Sequence, residues 1–223
     1  MYLRLSAIAA ACGLFLLSGC GGGGDDGIDN GPRTFTAQIF SDPVFDGDIE
    51  QVSPGVYTVT QGMSSSVQSV LAGIDPVGGT EFRAFLDFPL GGAGGIPADA
   101  LIDSAFLEIY VDNLDPLNGV MPLRVDLVEF QPPTLVTTDF SRSAQPALAS
   151  VVLTPDISRS DVGTYVPIDV TPLMREAQRL GVADFQVRIM QDLGPPVPVL
   201  MVIDDSTGSR RSSFAPLLTV TYF

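Results

Sequence analysis

The chain has 223 residues, with 26 acidic side chains against 11 basic ones, a formal net charge of -15, two cysteines, no tryptophan and no histidine. Without His it lacks the usual general base of Ser and Cys hydrolases and the commonest zinc ligand. With Arg210-Arg211 as its one adjacent basic pair, it also lacks the basic patch that nucleic-acid phosphates require.

Arg4, an apolar run over residues 7–17 and the small residues Ser18 and Gly19 read as a secretion signal over residues 1–19, too short to span a bilayer comfortably. Leu17-Ser18-Gly19-Cys20 resembles the lipobox of bacterial lipoproteins. That resemblance implies cleavage before Cys20, acylation of its sulfur, and a lipid anchor in the cell envelope. Gly21, rather than Asp, follows the Cys and points to the outer membrane. An ordinary signal peptide that happens to contain Cys20 is the other reading. With Cys12 removed and Cys20 acylated, the mature chain keeps neither a disulfide nor a thiol nucleophile. Residues 20–33, with four consecutive Gly and then Asp25, Asp26 and Asp29, read as a flexible tether.

Residues 34–223 read as one all-β domain, since an unstapled β fold of this length can build its own core. Short β-rich runs punctuated by Gly, Pro, Asp and Asn predict strands over 35–40, 56–60, 66–72, 81–88, 104–112, 123–129, 151–153, 165–170, 185–190, 199–203 and 217–222. Asp42-Pro43 and Asp46-Gly47-Asp48 read as a break after the first strand. In 104–112 the period is two: Ala105, Leu107, Ile109 and Val111 face one way, Phe106, Glu108, Tyr110 and Asp112 the other. One helix is expected after Asp169, with Thr171 as N-cap, Pro172 in the first turn, Gly181 after the end, and Leu173, Met174, Ala177 and Leu180 on one face. At about nine residues it needs to pack against the sheets to be stable.

The run Glu81-Phe82-Arg83-Ala84-Phe85-Leu86-Asp87-Phe88-Pro89-Leu90, then Ile96-Pro97-Ala98 leading into Ile102-Asp103-Ser104-Ala105-Phe106-Leu107-Glu108-Ile109-Tyr110-Val111, resembles the DNRLRE domain, a carbohydrate-binding module of the disaggregatase-related type. Tyr165-Val166-Pro167-Ile168-Asp169-Val170-Thr171 looks like that family's strand and helix start, and Pro216-Leu217-Leu218-Thr219-Val220-Thr221-Tyr222 like its closing strand. The resemblance implies a jelly-roll-type antiparallel β-sandwich that binds polysaccharide without cleaving it. The family's Trp positions, including one around Thr137-Thr138-Asp139-Phe140, are not Trp here, so stacking on sugar falls to Tyr or Phe.

A sugar site needs an aromatic platform flanked by carboxylates, amides or Arg. The candidate ligand-binding residues are Arg83, Phe85, Glu108, Tyr110, Arg124, Asp126 and Arg188, with Phe106, Asp87 and Gln186 beside them, if their strands share one sheet face. The competing reading of the same face is a set of Arg-carboxylate pairs that merely tie neighbouring strands. Tyr165 and Tyr222 read as half-buried strand residues. A structural calcium ion is a possible cofactor, with Asp42, Asp46 and Asp48 as the candidate ligands. Other acidic clusters are Asp112, Asn113 and Asp115, and Asp204 with Asp205, and none follows EF-hand spacing. No nucleophile elbow, phosphate loop or metal-hydrolase motif is present, so no catalytic residues are expected. The expected partners are the membrane, through Cys20, and a polysaccharide. A surface-protein ligand of a structural or adhesive module is the alternative, and a polysaccharide-cleaving enzyme is a third reading.

Overall fold

The computed structural model describes residues 33–130, 134–192 and 197–223. The expected signal peptide, Cys20 and almost all of the tether lie outside the described residues. Twelve strands follow in chain order: β1 (Phe35–Phe40), β2 (Gly47–Ser53), β3 (Val56–Gln61), β4 (Ser69–Ile74), β5 (Glu81–Pro89), β6 (Ile102–Asp115), β7 (Leu123–Val128), β8 (Ala149–Val152), β9 (Thr164–Asp169), β10 (Asp184–Gln191), β11 (Leu200–Asp204) and β12 (Leu217–Tyr222). Helix α1 (Thr171–Leu180) separates β9 from β10, and a one-turn helix α2 (Arg211–Phe214) precedes β12.

All pairings are antiparallel, in the order β1-β12-β6-β11-β4-β5-β10-β7-β8, with β9 on β6 and the β2–β3 hairpin on β5. The β4–β5 junction is a hinge: only Gly73↔Phe82 and Ile74↔Glu81 pair there. Gly73 has φ +117°, and a Cβ on it would meet the Val199 carbonyl oxygen at 2.1 Å, so this corner accepts no side chain. Beyond the hinge the halves pack face to face. Leu107, Ile109, Leu218 and Ile203 from the β1-β12-β6-β11 half share one core with Leu86, Phe88, Val125, Val187 and Ile189 from the β5-β10-β7 half. Each fully buried aliphatic or aromatic side chain contributes about 1.5–3 kcal/mol. The fold is therefore an all-β sandwich, as the alternating sequence pattern implies.

Helix α1 closes one end of this sandwich, with Leu173, Met174 and Ala177 in the core. Its anchoring differs from the sequence expectation. Val170 occupies the N-cap position, and Asp169 Oδ1 accepts from the Thr171 amide at 2.9 Å. The Thr171 hydroxyl instead accepts from the Ala105 amide at 2.9 Å and so ties the helix start to β6. Gly181 ends the helix as expected, in the left-handed region at φ 68°.

Strand β2 is the element the sequence pattern conceals. Asp46-Gly47-Asp48 reads as a turn, yet Gly47, Asp48 and Ile49 are buried and paired with both β3 and β5. A Cβ at Gly47 would stand 2.2 Å from the Thr60 carbonyl oxygen, so glycine here permits close strand approach rather than a turn.

Candidate functional site

The residues proposed from sequence to form one site separate onto two opposite outer faces. Arg83, Phe85, Asp87, Arg124, Asp126, Gln186 and Arg188 do share a face, that of β5, β10 and β7, through the pairs Arg188↔Phe85, Arg188↔Asp126 and Gln186↔Asp87. That face is covered, because the segment after β7 folds back over it. Phe85 packs edge-on against Phe130 at 6.0 Å within a second apolar cluster of Ile49, Val128, Leu135 and Phe140. Phe85 is thus fully buried and offers no ring to a sugar.

Two arginines hold the cover in place. The Arg188 guanidinium donates to the carbonyl oxygens of Asp139 (2.8 Å) and Gln145 (3.1 Å) and to Asp126 Oδ2 (2.8 Å). Arg83 donates to the Phe140 carbonyl and to Glu81 Oε1 (2.7 Å), with its guanidinium 4.0 Å from the centre of the Phe140 ring. Asp126 also accepts from Ser150 Oγ (2.6 Å) and from Arg142 Nε (3.1 Å). Burial pushes the Asp126 carboxyl up, but the Ser150 hydroxyl and the Arg188 and Arg142 guanidinium groups outweigh it and hold it below its ordinary value. These groups satisfy the backbone of a covering segment. Arg124 lies at the margin, paired with Asp192 at 2.6 Å.

Glu108 and Tyr110 lie on the other outer face, on β6, where the sandwich carries exposed rings beside charged groups. Phe40, Glu108, Tyr165, Ser212 and Leu217 line a cleft of about 130 Å³. Phe40 from β1 and Tyr165 from β9 are both more than a third exposed, at 37% and 38%. Glu108 accepts from Thr219 Oγ1 at 3.0 Å. Tyr110 is buttressed edge-on by Tyr165 (5.5 Å) and Phe214 (4.8 Å), and Arg210 lies 4.7 Å from the centre of the Phe214 ring. Arg210 also bridges to Asp204 at 3.3 Å. Next to this lies a polar hollow of about 350 Å³ lined by Ser65, Ser66, Gln68, Asp112, Asp204 and Arg210. Burial, with the carboxylates of Glu108 and Asp204 nearby, pushes the Tyr165 phenol above its ordinary value.

The β-strands make this face rigid. Phe106, Glu108 and Tyr110 project outward at alternate positions, and β12 and β9 align with them through Glu108↔Leu217 and Tyr110↔Tyr165. Tyr165 is partly exposed on β9, an edge strand on β6, in keeping with the half-buried strand position expected of it. Phe40, Asp204, Arg210 and Phe214 were not singled out as ligand contacts. They reach the face through the non-local pairings β1–β12 and β11–β6, which no local motif signals.

The proposed metal ligands point three ways. Asp42 Oδ1 caps the Val44 amide (2.9 Å), Asp46 Oδ1 accepts from the Asp87 amide (2.8 Å), and Asp48 Oδ2 accepts from the Leu71 amide (3.1 Å). Among the described residues, no group of three or more acidic, His or Cys side chains is arranged to hold a metal ion. Asp46 faces Asp205 instead. Burial and the Asp205 charge push the Asp46 carboxyl well above its ordinary value. The Oδ2 atoms of Asp46 and Asp205 are buried and neither has a hydrogen-bond partner. Arg211 stands 3.6 Å from Asp205 Oδ1.

Set against protein-family models and against curated proteins, the chain matches none.

Proposed function

We propose that this protein is an envelope lipoprotein whose β-sandwich binds extracellular or cell-surface polysaccharide without cleaving it, through the face built on β6, β9 and β12. The observation that carries the reading is the pair of half-exposed rings, Phe40 and Tyr165, flanking the Glu108 carboxylate on a rigid sheet. A pyranose lays its apolar face on an aromatic ring while its hydroxyls donate to a carboxylate and accept from Arg. Here Glu108, Asp112 and Asp204 are the acceptors and Arg210 the donor. Neutral glycans suit the site best, because a chain of net charge -15 repels anionic polymers.

The polysaccharide reading also draws on the motif resemblance to the DNRLRE domain, whose matching positions are apolar and turn residues that bear on the fold rather than on the cleft. Acylated Cys20 is the anchor in this reading, and the outer membrane is the home. The test is a glycan array probed with the full mature chain. Dose-dependent binding to a neutral polysaccharide is the expected result. Binding to no glycan, with a protein partner co-purifying, would replace this reading with that of an adhesive module. New reducing ends released from a bound polysaccharide would replace it with that of an enzyme.

A further inference from the structure

The end of the sandwich where the chain enters is apolar and hollow. Strand β1 begins at Phe35, which pairs with Tyr222 and stacks on its ring at 5.9 Å. The next residue, Phe223, exchanges two backbone hydrogen bonds with Leu101 (3.2 and 3.1 Å). From there residues 96–98 run to a pocket of about 290 Å³ lined by Leu90, Ile96, Pro97, Met174 and Val182, with Gln178 at its rim. The Gln178 Nε2 group donates to the Ala98 and Ala100 carbonyls, and the side chains lining the pocket are otherwise apolar. At this end Phe35, Leu101 and Phe223 are exposed, Leu101 at 70%, as is Leu180, which precedes the lining residue Gly181. The charges nearby are mixed: Arg175 is held by the carbonyls of Ile102 and Asp103, Arg179 by Glu176, and Asp99 and Asp103 lie beside Leu101.

We infer that this end is a membrane-docking surface, on which Leu101, Leu180, Phe35 and Phe223 enter the interface of the bilayer that holds the anchor and the pocket admits the end of a lipid acyl chain. The inference rests on the lipid-anchor reading of Cys20. Fourteen residues, 21–34, separate that cysteine from the first described strand. A chain of that length spans at most about 50 Å. The apolar end is therefore kept within one domain's breadth of the headgroups. At that effective concentration a contact too weak to hold a free protein is well populated. An uncharged lipid surface fits, since an anionic one would repel this acidic chain. Docking of this end also leaves the proposed glycan face clear of the bilayer: Tyr110 lies eight residues along β6 from Ile102, about 26 Å from the docked end.

The test uses the full acylated protein in phosphatidylcholine vesicles. With Cys12 cleaved off and Cys20 acylated, a Leu101→Cys variant carries a single reactive thiol for an environment-sensitive fluorophore. Val77→Cys, in the exposed turn between β4 and β5 at the opposite end, is the control. The expected result is a blue shift at position 101 and quenching by brominated lipid at least threefold stronger than at position 77. Equal, weak quenching at both positions on vesicle-bound protein overturns the docking and leaves the anchor standing. Protein that fails to float with the vesicles overturns the anchor and the docking with it. A blue shift at 101 already present in detergent-free solution without vesicles would assign the surface to a second copy of the chain, and overturns the lipid as occupant.

Discussion

Replacing Arg188 by Met removes the largest fully buried cation in the domain while keeping a chain of similar length. Three contacts disappear: the ion pair to Asp126 and the hydrogen bonds to the carbonyls of Asp139 and Gln145. Removing one partner of a buried pair costs about 3–5 kcal/mol, because the other charge stays behind without compensation. Arg142 remains 3.1 Å from Asp126, but its side chain is a third exposed and its field is screened. Unfolding in urea, followed by circular dichroism at pH 7, is expected to show a loss of about 3–5 kcal/mol, with the thermal midpoint lowered by about 6–20 °C. Adding Asp126→Leu to Arg188→Met is expected to restore at least about 1 kcal/mol, since the stranded carboxylate is then gone. A loss below about 1 kcal/mol in the single variant, or a double variant no more stable than the single one, would refute the structural role assigned to this pair.

Four further outcomes follow from named contacts. Phe85→Ala is expected to destabilise the domain by about 3–5 kcal/mol with glycan affinity unchanged under conditions where the variant remains folded; denaturation and binding isotherms together check this, and a selective loss of binding would return Phe85 to the site. Burial pushes Asp48 up to about 7 and Asp87 up to about 6, so folding binds protons at these groups and their contribution, fully present below pH 3.8, fades as pH rises to about 7. Asp48→Asn keeps an acceptor for the Leu71 amide, and is expected to gain up to about 4 kcal/mol over the native chain at pH 8 and little at pH 4; parallel denaturation curves at the two pH values measure it. Asp126, held below its ordinary value, acts with the opposite sign: its contribution is lost as pH falls below 3.8, so acid unfolding in that range is expected to be shallower in the Arg188→Met, Asp126→Leu chain. Gly47→Ala is expected to prevent native pairing of β2, read as loss of the folded amide spectrum, since its Cβ has no room beside the Thr60 carbonyl.

Alternation made the strands legible. In β6 and β12 the period of two places Leu107, Ile109, Leu218 and Val220 in the core, and the helix with its Gly181 terminator reads directly from its punctuation. Strand β2 was hidden because Asp46 and Asp48, ordinarily turn residues, are here buried carboxyls held by the Asp87 and Leu71 amides. Of the residues expected on one outer face, those of β5, β10 and β7 do share a face, while Glu108 and Tyr110 lie on another, and the shared face is covered. A strand pattern states which residues leave the core, but not whether a later segment, here residues 134–145 clamped by Arg83 and Arg188, returns to cover them. Of the candidate site, Glu108 and Tyr110 were legible from β6 alone. Their neighbours Phe40, Tyr165 and Phe214 arrive from strands and a turn between 50 and 110 residues away, and only the register of the sheet brings them together.

The most direct measurement of the central claim is the affinity of the wild-type chain and of Tyr165→Ala for one array-positive neutral oligosaccharide, taken by calorimetry at equal folded fraction. Loss of a stacking ring from the Phe40–Tyr165 cleft is expected to weaken binding at least tenfold, about 1.4 kcal/mol, with thermal stability shifted by only a few degrees. Equal affinity in the two proteins would contradict the assignment of polysaccharide binding to this face.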